Sequence, residues 1–377
     1  IENITGKGTA EKPIPLHEPD FTNSNATNYL NNCITSGWVS TAGGWVNKFE
    51  KELAKLTKAK HAIVVSNGTV ALRLALKLKG VKANEEVIIP PLSFIASANA
   101  VSHLGAIPHF VDIELDTLGI SPEALIKRLE ECSVLKDGKV FNKNTNRKIS
   151  AIMAVHIFGH PSRVDELRKI ASVWNIPLIE DCAEALGSYR YEENSIKHCG
   201  LFGEIGTLSF NGNKIITTGG GGALLTNNAD IAKKARHLST TAKKNHKWEF
   251  EHDEIGWNDR LPNINAALGV SQIEQIQKKL KIKYRLNQIY TKAFENLEEL
   301  YTLNQPEFCK SNFWLNNIIL KERNDSTLKE IRNKILELSH QKFIYTRPVW
   351  KLLSKQKPYL KSPKGDLTNS EFIQSFV

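Results

Sequence analysis

The stretch Thr207-Leu-Ser-Phe-Asn-Gly-Asn-Lys214 runs out of a short apolar strand into a polar turn, ends on a lysine, and is followed closely by Gly219-Gly-Gly-Gly222. A lysine set just past a strand end need not be a solvated charge; in that place it can serve as an imine-forming amine. Upstream, Pro177-Leu-Ile-Glu180 reads as a second apolar strand, and Asp181 follows it directly. Further back, His61-Ala-Ile-Val-Val65 is a buried strand that passes through Ser66-Asn-Gly-Thr69 into a helix. That helix repeats Ala71, Leu74, Ala75 and Leu78 on one face, and Gly80 stands where a helix C-terminal glycine belongs.

Working outward, short apolar strands alternate with helical stretches from about residue 60 to 230, which predicts an α/β fold with a mostly parallel sheet. Strands are expected at Glu86–Pro90, His109–Ile113, Ser150–Val155 and Gly222–Thr226, and Ser121-Pro122-Glu123 has the cap and first-turn proline of a helix start. Polar, turn-rich residues 135–148 read as a surface hairpin or loop inserted into this domain. Beyond it, one long helix is expected from about Asn263 to Leu297, then a strand Phe313–Leu320, a helix Thr327–Leu338 and a strand Phe343–Thr346. The expected division is an arm and large α/β domain over residues 1–240 and a smaller C-terminal α/β domain over 241–377.

Five scattered cysteines without Cys-x-x-Cys spacing predict reduced thiols. His198-Cys199 and the pair His156/His160 lack the second cluster that would complete a metal site, so no metal is expected. No apolar run reaches the roughly 20 residues of a membrane span, and the N-terminal residues lack a signal-peptide core, so a cytoplasmic protein with no membrane partner is expected. The net charge of +10 is spread along the chain and not gathered into a stripe with aromatics, which fits a nucleotide-linked sugar or mere solubility better than nucleic acid.

Lysine, aspartate and a helix N-terminus are the three groups that hold pyridoxal 5'-phosphate: one for its aldehyde, one for its ring nitrogen, one for its phosphate. Asp181 is placed to keep the ring nitrogen protonated. Gly68 and Thr69 offer first-turn N–H groups and the positive end of the helix dipole, Ser209 offers a hydroxyl, and Phe94 in Pro90-Pro-Leu-Ser-Phe-Ile-Ala-Ser97 offers a ring to stack on the cofactor. Taken singly, Asp181 could cap a turn, Thr69 a helix, and Phe94 could fill a core; together they favour the cofactor.

On Gly37-Trp-Val-Ser40, Ser66 to Leu72, Pro90 to Ser97, Glu180-Asp-Cys-Ala-Glu-Ala-Leu-Gly187, Ser209 to Lys214 and Gly256-Trp-Asn-Asp-Arg260, the chain resembles the DegT/StrS family of nucleotide-sugar aminotransferases. The fold this implies is that of the type I, aspartate aminotransferase-like, pyridoxal phosphate-dependent transferases. Within the family, His17-Glu-Pro19, His156-Ile-Phe-Gly-His-Pro161 and Asn211 to Lys214 resemble the LegC-like branch, which serves legionaminic-acid and related diamino-sugar pathways. By this resemblance Lys214 bonds the cofactor and acts as general acid/base, Asp181 holds the pyridinium, Phe94 stacks on it, and Gly68, Thr69 and Ser209 bind the phosphate. Asn258 is similar to the family asparagine that reaches the neighbouring subunit's phosphate, which implies a homodimer. The implied donor is L-glutamate, and the implied acceptor a nucleotide-diphosphate 4-keto-6-deoxy sugar with a 2-acetamido group, aminated at C4. Trp38 and Arg347 are candidate sugar contacts. Glu184 stands where many relatives carry glutamine near the cofactor's ring hydroxyl. A 3-keto-sugar aminotransferase and a catalytically silent binding protein on the same fold are the rival readings.

Overall fold

Strand and helix alternate over the first two thirds of the chain because near-continuous Val/Ile/Leu runs are stable only when helices cover both faces of the sheet they form. The computed structural model describes residues 1–193, 195–321 and 325–376. Its main sheet carries strands β1 (His61–Val65), β2 (Glu86–Ile89), β3 (Ile107–Phe110), β4 (Arg147–Val155), β5 (Leu178–Asp181), β6 (Ile205–Ser209) and β7 (Gly222–Thr226), in the spatial order β1-β7-β6-β5-β4-β2-β3. Strands β6, β5, β4, β2 and β3 pair in parallel, and β7 runs antiparallel to both its neighbours, β1 and β6. The carboxyl ends of β1, β6, β5, β4 and β2 therefore lie along one edge, where open α/β sheets gather their ligands.

The helix Gly68–Leu78 shows why the pattern works. Asn67 caps it, its side chain accepting from the Val70 N–H at 2.9 Å, and Ala71, Leu72, Leu74, Ala75 and Leu76 are buried. Each fully buried leucine contributes about 1.5–3 kcal/mol. Gly80, at φ +78°, then turns the chain toward β2. The cap is Asn67, one residue before the Gly68-Thr69 start that spacing indicates, so Thr69 sits inside the first turn.

The polar insert is a hairpin: Ser133–Lys136 pairs with Lys139–Asn142, which in turn pairs antiparallel with the start of β4. Other boundaries differ from those expected. The strand at His109–Ile113 is Ile107–Phe110, ending where Phe110 turns its N–H to Pro363. The single long helix is two, Asn263–Ile273 and Ile276–Phe294. The first is buried on most sides, whereas the second keeps only Ile276 and Asn287 buried; a break lets the chain leave the core, and apolar periodicity does not register it. Of Phe313–Leu320 only Ile318–Leu320 is a strand; Phe313 adopts φ +47° and the chain bends at Trp314 and Leu315 before it. Phe343–Thr346 forms no strand but a single bridge, Ile14 to Ile344, with Phe343 at φ +55°. The helix expected at Thr327–Leu338 spans Asp325–Gln341.

All five cysteines are buried free thiols. Among the described residues no helix is long and apolar enough to cross a membrane.

Candidate active site

Four strand ends deliver the candidate residues to one edge. Asp181 is the last residue of β5 and pairs in register with Thr207 of β6 and Val155 of β4. Its side chain is buried: Oδ2 accepts from the Ser97 hydroxyl at 2.8 Å and Oδ1 from the Ala183 N–H at 3.1 Å. Burial pushes this carboxyl above the usual aspartate range, and the Ser97 bond, the Ala183 N–H and the nearby Lys214 charge pull it part of the way back. A buried carboxylate in that condition favours a positive partner beside it.

Lys214 lies past β6, its side chain only 12% exposed. Its Nζ is 3.3 Å from Glu184 Oε1 and 4.0 Å from the centre of the Trp314 ring, so a carboxylate and an aromatic face both hold the amine. Glu184 is buried as well, and its other oxygen accepts from the Phe158 N–H at 2.7 Å. Burial raises its pKa, and the Lys214 charge chiefly opposes that rise. The sequence alone leaves the orientation of Glu184 open; the structure turns it toward the lysine.

The strand β6 ends on Ser209, directly against the first turn of the helix Gly68–Leu78. A Cβ placed on Gly68 would lie 2.8 Å from the Ser209 Cβ, and one on Gly222 would lie 2.6 Å from the Asn67 backbone. Glycine at both positions lets the helix start, β6 and β7 close on one another. The N–H groups of a helix's first turn lie outside its ladder, so those of Gly68 and Thr69 stand beside the Ser209 hydroxyl. Phe94, past β2, is 53% exposed, with its ring 6.3 Å from that of Trp350, which stacks on Phe158 at 5.1 Å.

Three expected residues stand apart. Asn258 is exposed on a loop whose next residue, Asp259, accepts the Ser66 N–H through its carbonyl at 2.8 Å and pairs with Arg73. Trp38 and Arg347 are exposed too, and among the described residues neither is hydrogen-bonded or ion-paired to Lys214, Asp181 or Glu184.

Other partners escaped the sequence reading. Ser97 lies within a quoted segment but as a bare serine signals nothing; its proximity to Asp181 comes from the turn after β2. Trp314 reads as a strand residue, but it lies in a bend after Phe313 and ahead of the strand. The buried trio His156, Glu180 and Cys182 brings ligand-type atoms within 4.8 Å of one another. Both Glu180 oxygens are already engaged by the Gly200, Phe202 and Gly203 N–H groups and by His156, so the trio ties down the turn before β6.

The sequence pattern of the DegT/DnrJ/EryC1/StrS aminotransferase family matches residues 21–376. The chain belongs to that family. It is similar to GDP-perosamine synthase of Escherichia coli O157:H7, 36% identical over 339 residues that cover 90% of this chain and 85% of the relative. It is also similar to UDP-4-amino-4,6-dideoxy-N-acetyl-beta-L-altrosamine transaminase of Campylobacter jejuni strain 81-176, 33% identical over 283 residues, 75% of this chain and 70% of the relative. Among solved structures, a DegT DnrJ EryC1 StrS aminotransferase from Brucella abortus superposes with a TM-score of 0.82 at 26% identity, covering 93% of this chain and 88% of the other. The fold is thus the type I fold of this family, and the protein is a pyridoxal phosphate-dependent aminotransferase.

The residues fit that cofactor. A largely buried primary amine, a buried carboxylate with no ion pair among the described residues, and first-turn N–H groups closed against a hydroxyl offer the donors and acceptors that an aldehyde, a pyridine nitrogen and a phosphate require.

Proposed function

We propose that the protein transfers an amino group from L-glutamate to C4 of a nucleotide-linked 4-keto-6-deoxy sugar bearing a 2-acetamido group. Its place would be the making of diamino-sugar surface glycans of the legionaminic-acid or bacillosamine type, and its active form a homodimer. The observation that carries the chemistry is the setting of Lys214, an amine lodged between the Glu184 carboxylate and the Trp314 ring beside buried Asp181.

Bound pyridoxal phosphate supplies an aldehyde that condenses with amines and a protonated ring that draws electrons from the carbon next to them. Lys214 would anchor the cofactor through its amine and, when not so bonded, would hold and hand on a proton as general acid/base. Asp181 keeps the ring nitrogen protonated, because its burial favours a positive neighbour. Glu184, 3.3 Å from the amine, accepts and returns a proton of Lys214. Gly68, Thr69 and Ser209 hold the phosphate, Phe94 covers a ring face, and Trp38 and Arg347 contact the sugar nucleotide, whose diphosphate the net charge of +10 attracts. The two relatives named above carry GDP and UDP in their names, which supports a nucleotide-sugar substrate and leaves the base to experiment.

The test is a panel of GDP- and UDP-linked 4-keto-6-deoxy sugars, with and without the 2-acetamido group, plus a 3-keto sugar, each incubated with L-glutamate. The expected result is 2-oxoglutarate formation that requires the acetamido 4-keto sugar, with nitrogen at C4 of the product. Amination at C3, or no turnover across the panel, overturns the reading.

Asn258→Ala tests the shared site. Loss of one hydrogen bond to a charged phosphate, about 1.5–3 kcal/mol, should weaken cofactor retention roughly tenfold or more on dialysis. A variant that remains dimeric and keeps its cofactor like the parent shows that Asn258 makes no such contact.

A further inference from the structure

His17-Glu-Pro19, in the N-terminal arm, has no part in the roles above, yet it touches the lysine turn. His17 Nε2 is 3.1 Å from the main-chain oxygen of Lys214, a residue 197 positions away. Its Nδ1 is 2.8 Å from Lys283 Nζ, and the same Nζ donates to the Trp314 carbonyl at 2.9 Å. An ammonium group only donates, so Nδ1 must accept. The ring proton then sits on Nε2, which donates to the Lys214 carbonyl. Burial, with the Lys283 charge behind it, holds His17 down at about 4, so the ring is neutral and can take this form.

Trp314 closes the arrangement from the other side. Its indole N–H donates to the Asn213 carbonyl at 2.6 Å, and its ring face lies 4.0 Å from Lys214 Nζ. The consecutive carbonyls of Asn213 and Lys214 are thus held by two side chains, and Lys283 on the helix Ile276–Phe294 braces both. The arm is pinned to the neighbouring stretch of chain as well: the Asp20 carbonyl accepts from Gln272 and Lys279.

We propose that His17 and Lys283 are positioning residues that fix the main-chain seat from which the Lys214 amine reaches the cofactor. The N-terminal arm is then part of the support of the reactive lysine and not merely a covering strap. The inference rests on Lys214 being the residue that bonds pyridoxal phosphate.

The test uses the full chain, stripped of cofactor and then mixed with pyridoxal phosphate. It compares wild type with His17→Phe, which keeps ring bulk without a donor, His17→Gln, whose amide N–H can reach the same oxygen, and Lys283→Met. The readouts are the rate at which the cofactor's visible band develops, its response to L-glutamate, and the split between kcat and KM for L-glutamate. His17→Phe and Lys283→Met should slow band development and lower kcat by about tenfold, a fraction of what a misplacement of about 1 Å can cost, while KM changes little. His17→Gln should restore most of both. If wild type itself develops no band, the role of Lys214 fails and the proposal with it. If wild type does and His17→Phe matches it, or His17→Gln is as slow as His17→Phe, the positioning role alone is overturned.

Discussion

Lys214→Ala is expected to lower turnover by about 10⁴-fold, the upper end of what one positioned acid/base contributes, because the same amine is also the covalent anchor. Lys214→Arg should fail nearly as badly. Arginine would preserve a positive charge facing Glu184 and the Trp314 ring, but it does not deprotonate and cannot condense with an aldehyde. The pair separates a need for charge from a need for a nucleophile. Glutamate-dependent formation of 2-oxoglutarate in single-turnover and steady-state assays gives the loss, and the cofactor's visible band gives its cause. Both variants should still bind the cofactor's phosphate at Gly68, Thr69 and Ser209, but without the absorption of the lysine-bonded form. In Lys214→Ala, Glu184 also loses the charge that chiefly limits the rise burial imposes on its pKa, and that pKa should rise further. Arginine activity within tenfold of wild type would mean that position 214 contributes charge and not covalent chemistry.

How far the sequence discloses this site depends on how each residue is brought to it. Asp181 and Ser209 end apolar strands and Gly68 and Lys214 come within a few residues of one, so strand ends locate them, and a parallel sheet brings its strand ends to one edge whatever the loops do. Ser97 and Trp314 are different. Ser97 meets Asp181 across 84 positions through the turn after β2, and Trp314, next to Phe313 with its positive φ, meets Lys214 across the fold. Positive φ at a phenylalanine has no reliable residue signature, since it is imposed by packing. The break at Glu274 and Gln275 is hidden in another way: both residues keep right-handed dihedrals, and buried Ile273 and Ile276 keep the apolar spacing of a continuous helix. His17 reads from sequence only as part of a short motif; its work is done through a main-chain carbonyl, which leaves no imprint on the residue that receives it.

Asp181→Asn should show the second-largest loss, and in a form that separates catalysis from folding. Removing one member of a buried charge pair costs about 3–5 kcal/mol, which corresponds to a fall in kcat of roughly 10²–10⁴, because a neutral amide does not hold the ring nitrogen protonated. The fold should not suffer. The two donors that now face the carboxylate are the Ser97 hydroxyl and the Ala183 N–H. With the amide oxygen toward Ala183 and the amide nitrogen toward Ser97, the hydroxyl can rotate to accept, and both contacts survive. The stability argument has a definite sign. Burial raises the folded-state pKa of Asp181 in the cofactor-free protein, so its contribution to stability is full below the ordinary aspartate range and is lost as pH rises through the raised value. Asparagine has no such loss. Cofactor-free Asp181→Asn should therefore melt no lower than cofactor-free wild type at neutral pH, while the stabilisation gained on adding pyridoxal phosphate shrinks. Thermal melts with and without pyridoxal phosphate, set beside kcat, measure both halves. A variant that melts markedly lower without cofactor, or that keeps wild-type kcat, would make Asp181 a structural carboxylate of the β5 end and move the partner of the ring nitrogen elsewhere.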